Sequence, residues 1–182
     1  MDMLLAFAPF LAFVALERGM GAHSALVAAT IVAALLLVRD KFIRHRSLKL
    51  LEVGSVVLFG ALAFASRLPR FRLSVVGVRL CVDVGLLVVI LFSLLIGKPF
   101  TMQYAVERVS SQIAASLRFK STNVALSAAW ALAFAVIVAA DLAMLYVPGF
   151  TPLLGTIVIL AALGGGVLVS AWLPKHAART SL

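Results

Sequence analysis

The stretch GKPFTMQYAVERVSSQIAASLRFKSTN, residues 97–123, is the one long segment of this chain that is not built to dissolve in lipid. It carries Lys98, Glu107, Arg108, Arg118 and Lys120, with Ser110, Ser111 and Gln112 among them. Before and after it the chain alternates apolar runs with short charged turns. The stretch therefore separates a longer front part from a back part of two apolar runs. That pattern predicts an all-α fold, a polytopic membrane helical bundle.

Working outward from it, the apolar runs lie at about 3–18, 21–38, 50–66, 75–96, 124–147 and 153–173. They predict about six spans. The first is short: Met3–Leu16 is fourteen residues interrupted by Pro9, whereas a helix needs about 20 to cross a bilayer core. Five full spans are the alternative. The 182 residues are 64% hydrophobic with a mean hydropathy of +1.16, which fits one integral membrane domain over 1–182 and no soluble one. The N-terminus has no Lys or Arg ahead of the first run and no clear small-x-small cleavage site, so that run is expected to stay in the mature protein.

The net charge of +9 sits mostly between the apolar runs, where it sets topology and touches anionic lipid headgroups; no nucleic-acid partner is expected. If all six runs cross, eleven of the sixteen Lys and Arg fall on one side, with residues 39–49, residues 97–123 and both termini. Four fall on the other side, and Arg79 lies within a span. The positive-inside rule puts the richer side in the cytoplasm, including the C-terminus and Gly97–Asn123.

Two runs carry small residues every four positions: Gly21, Ala25, Ala29 and Ala33, then Ser127, Ala131, Ala135, Ala139 and Ala143. Such faces let helix backbones approach closely, and a contact between the second and fifth spans is expected.

Three ionisable residues lie inside apolar runs. Arg79 and Asp83 are four apart on one helix and can pair. At about 1.5 Å per residue, Asp83 lies roughly 12 Å in from Val75 and Asp141 about 9 Å in from Val147, both on the non-cytoplasmic side. Arg79, Asp83 and Asp141 are therefore a candidate intramembrane polar cluster, read either as a structural clasp or as a proton or ion relay. No catalytic constellation, metal set or cofactor motif is expected. Cys81 is the single cysteine, and His23, His45 and His176 fall in three different connecting or terminal segments.

Within the central stretch, Met102, Val106, Val109, Ile113 and Leu117 recur at intervals of four, three, four and four, predicting an interfacial amphipathic helix over about 101–118. That face, with Arg39, Lys41, Arg44, Arg46 and Lys49 of the earlier connection, forms a candidate lipid or partner surface.

The order of these features resembles the intracellular septation protein A family of bacterial inner-membrane proteins. The resemblance rests on Phe7-Ala8-Pro9-Phe10 in the short first run, the basic 39–49 connection and Phe59-Gly60-Ala61-Leu62 in the third run. Gly97-Lys98-Pro99-Phe100 and Trp130 early in the fifth run complete it. It covers nearly the whole chain; the segments Asp141–Tyr146 and Phe150–Leu154 depart from the family pattern. The resemblance implies a multi-pass inner-membrane protein of septation, cell division and envelope maintenance. Such a protein works without catalysis, through the lipid bilayer and other envelope or division membrane proteins. A small transporter or channel using Arg79, Asp83 and Asp141 is the alternative.

Overall fold

Glycine at position 21 decides the front of the chain. In the computed structural model, which describes residues 5–45, 47–68 and 74–179 but not the side chains of 18 and 175–179, helix α1 spans Ala8–Val38 with Gly21 at φ 78°, ψ 160°. An L side chain rarely adopts that conformation, and the helix breaks there. The first half of α1 runs beside helix α2 (Leu50–Ala65), where Phe59 meets Phe10 and Phe13 at ring-centroid distances of 4.8 and 6.1 Å. The second half runs antiparallel to α2. At one end His23 Nδ1 lies 2.7 Å from Ser66 Oγ, and at the other Ala33 and Leu36 border Glu52 and Ser55, together with Ala6 and Pro9. Ser66 Oγ donates to the Ala63 carbonyl, so the His23 ring supplies the proton of their bond. His23 is thus a helical residue tying two helices, not part of a connection. Ala25, Ala29 and Ala33 are buried, and a Cβ added at Gly60 would meet the Thr30 methyl at 3.8 Å, so the small-residue face of α1 lies in close contact with α2.

Helix α3 (Val75–Leu95) buries Val78, Val82, Leu86, Ile90 and Ser93, one face at helical spacing, and leaves Val84, Val88, Leu91 and Leu95 exposed. It ends on a Schellman motif. Gly97, at φ 68°, takes the left-handed position, its N–H bonds the Leu94 carbonyl, and the Lys98 N–H bonds the Ser93 carbonyl. Pro99 then bars continuation and starts α4 (Phe100–Ala105).

Residues 101–118 do not form the single amphipathic helix that their apolar spacing predicts. α4 passes through a 3₁₀ turn (Val106–Arg108) into an extended Val109, a short α5 (Ser111–Ala115) follows, and Leu117 already belongs to α6 (Leu117–Tyr146). The cause is serine. Ser110 Oγ accepts from the Ile113 N–H and Ser116 Oγ from the Phe119 N–H, and each cap restarts the helix in a new phase. Val106, Ile113 and Leu117 are exposed, while Met102 and Val109 are half-buried.

α6 and α7 (Pro152–Arg179) form an antiparallel pair joined by a turn at Gly149. Gly155 admits the side chain of Met144. Further along, Gly166 lies under the Trp130 ring, and Trp130 Nε1 donates to Ser170 Oγ at 2.9 Å. α7 continues past Pro174, where the sequence suggests a stop; one proline removes one backbone bond without preventing the helix from resuming.

The chain divides into two compact units, Met1–Leu86 and Leu87–Leu182. Among the described residues, four helices are long and apolar enough to cross a membrane: Gly19–Ile43, Val75–Leu95, Leu117–Tyr146 and Pro152–Pro174. The first and third runs give shorter apolar helices, Ala8–Glu17 and Leu50–Ala65. The architecture is therefore helical and suited to a membrane, with four described helices of spanning length where the apolar runs suggest six.

Candidate functional site: a buried ionic cluster and a pinned polar segment

The second half of α1 ends in a π-helical turn, Arg39–Ile43, closed by the Arg44 N–H on the Arg39 carbonyl at 3.0 Å. The wider turn brings Asp40 inward, and its carboxylate is buried. Arg39 holds Oδ1 of Asp40, with Nε at 2.8 Å and Nη2 at 2.7 Å. Lys49, in extended conformation at the start of α2, sends its ammonium to the same carboxylate. Its Nζ is 3.7 Å from Asp40 Oδ2 and 3.6 Å from Glu52 Oε1, and its side chain is 0% exposed.

This overturns one reading of the sequence. Lys49 is not part of a basic lipid or partner surface; it is the centre of an ionic cluster with Asp40 and Glu52. A lone lysine at the end of a run of basic residues reads as a surface charge. The signal that could have found it is Glu52 three residues on, at helical pairing distance, and Asp40 as the only acid in the connection. Arg39 is partly drawn into the same cluster. Lys41 and Arg44 are exposed, as the surface reading requires, and Arg46 lies outside the described residues, as do Arg70 and Arg72.

In the second unit the opening of the 97–123 stretch is fastened down. Phe100 and Thr101 are buried, and Phe100 N–H donates to Ser93 Oγ at 3.1 Å. Thr101 Oγ1 donates to the Asn123 carbonyl and lies 2.9 Å from Ser127 Oγ, while Asn123 Nδ2 donates to the Phe119 carbonyl. Ser127, the first member of the fifth-run small-residue face, thus serves a polar contact. Ala135 and Ala139 further along that face are exposed.

Arg79 and Asp83 are half-buried on α3, each one position past a member of its buried face, in the first unit. Asp141 is 0% exposed on the buried face of α6, in the second.

Comparison with protein-family models, curated proteins and solved structures finds no match for this chain.

Proposed function

We propose that the chain is a multi-pass protein of the bacterial inner membrane that acts by contact with other envelope or division membrane proteins, without catalysis, as its resemblance to the septation family implies. In this reading all six apolar segments cross, with the C-terminus and Gly97–Asn123 in the cytoplasm. The short helix α2 counts as a span because it keeps step with the second half of α1 from His23 to Leu36. One observation carries the interaction reading. Phe100, Thr101 and Tyr104 are buried and fix the start of the stretch, whereas Val106, Glu107, Arg108, Ile113 and Leu117 beyond them are exposed. A mixed apolar and charged surface held on a fixed base suits a protein partner.

The test is in-cell photocrosslinking from position 113, followed by mass spectrometry. Adducts with integral envelope or division proteins, lost when Val106 is also changed to Asp, are expected. Recovery of lipid adducts alone refutes the reading. The transporter alternative draws on Asp141, a carboxylate wholly buried in an apolar helix, which in a membrane is a functional hint. If Asp83→Asn and Asp141→Asn abolish solute or ion flux in liposomes while crosslinking is unchanged, the alternative is right and the scaffold reading wrong.

A further inference from the structure

The outward side of the Arg39–Ile43 turn combines two properties. Ile31, Leu35, Val38 and Phe42 follow one another at intervals of four, three and four residues, and all four are exposed. They form one apolar stripe along α1 that runs into the turn. It ends at Phe42 and Ile43, 68% and 74% exposed, with Lys41 and Arg44 exposed on either side of them. The turn's only carboxylate faces the other way: Asp40 is held inside by Arg39 and Lys49. What the turn presents outward is cationic and apolar.

We propose that this turn is a binding site for an anionic phospholipid. Phe42 and Ile43 enter the region where acyl chains give way to headgroups, and Lys41 and Arg44 engage the headgroup phosphate. Two observations select a lipid over a soluble partner. The stripe belongs to a helix long and apolar enough to cross a membrane, Gly19–Ile43, and Phe42 stands one residue from its end, where a spanning helix meets the headgroups. A free phosphate would leave two large exposed apolar side chains without a role. The ionic cluster is what makes the site attractive to an anion, because Asp40 turned outward would stand beside the phosphate and repel it.

The test uses the full-length protein in non-ionic detergent with equal amounts of dioleoylphosphatidylglycerol and dioleoylphosphatidylcholine, the retained lipid being counted by native mass spectrometry. The unchanged protein is expected to retain the phosphatidylglycerol preferentially. Lys41→Ala with Arg44→Ala should weaken that retention about 25-fold, on roughly five-fold for each cation at an anionic surface. The exchange Lys41→Arg with Arg44→Lys should preserve it, which separates loss of charge from loss of fold. Lys98→Ala with Lys120→Ala removes two exposed cations elsewhere and should change retention by less than about three-fold. Equal loss in the two alanine pairs would reduce the effect to net charge and overturn the proposal. So would equal retention of both lipids by the unchanged protein, or displacement of the lipid by inorganic phosphate.

Discussion

Replacing Lys49 with alanine separates a buried ionic cluster from a surface lysine more sharply than any other single change. The ammonium lies 3.6 Å from Glu52 and 3.7 Å from Asp40, and none of the side chain reaches the surface. At an effective dielectric of about 20, each such pair is worth roughly 4–5 kcal/mol of Coulomb attraction, most of it offset by the cost of desolvating the charges. Removing the shared cation leaves that cost in place and takes the attraction away. The expected loss is about 3–5 kcal/mol, against about 0.5 kcal/mol or less for Lys41→Ala on the exposed side of the same connection. For a chain of this length the difference corresponds to roughly 10 °C in melting midpoint. The assay is built into the sequence. Cys81 is the only cysteine and is half-buried on α3 within the first unit, so a thiol-reactive fluorophore reports the opening of that unit on heating in detergent. Adding Glu52→Gln to Lys49→Met should recover part of the loss, with a coupling of about 1–3 kcal/mol. A Lys49→Ala protein that melts within about 2 °C of Lys41→Ala would refute the reasoning.

Three further outcomes test the second unit. Thr101→Val removes the hydroxyl that joins the Asn123 carbonyl and Ser127, leaves a buried carbonyl short of a partner, and should cost about 1–3 kcal/mol while speeding hydrogen exchange across residues 97–116. At the glycine triplet, Gly166→Val would push into the Trp130 ring, which an added Cβ meets at 3.2 Å, and should cost about 1–3 kcal/mol by melting followed through tryptophan emission. Gly165→Ala points into open space and should stabilise the same helix by up to about 1 kcal/mol in the same assay.

Apolar length made the helical architecture legible from the sequence, and Gly97-Lys98-Pro99 announced its own geometry, because a glycine that can turn left-handed followed by a proline is a helix stop with few alternatives. The 101–118 helix does not form as its spacing predicts because apolar spacing measures which face would be buried and not whether the backbone stays helical. Ser110 and Ser116 compete for the backbone N–H groups that such a helix would need, and their side chains prevail. Lys49 departs from the surface expectation for a related reason. Local charge density said surface, while its fate depends on a π-helical turn that carries Asp40 inward, and nothing in the residue spacing marks that turn. Trp130, read as part of a family pattern, acquires its role only when α7 brings Gly166 and Ser170 beneath it.

The acidic residues show why the burial of Lys49 matters for function. Of the six that the structure describes, Glu17, Asp40, Glu52 and Asp141 are buried, Asp83 is half-buried and Glu107 alone is exposed. The exposed surface is therefore more basic than a net charge of +9 suggests, since most of the compensating charge lies inside. Inward acids have two physical uses: they clasp helices through cations such as Lys49, or they carry protons and ions between sides. A clasp spends its interaction energy on the folded state, so neutralising its carboxylate lowers stability in proportion to the pair it breaks. A relay spends it on a transported charge, so neutralisation stops flux with the fold intact. At the Asp40–Lys49–Glu52 cluster the cation and both carboxylates stand within ion-pair distance in one unit, the geometry of a clasp. Asp141 is the residue at which the two uses still compete, and the ratio of lost stability to lost flux in Asp141→Asn decides between them.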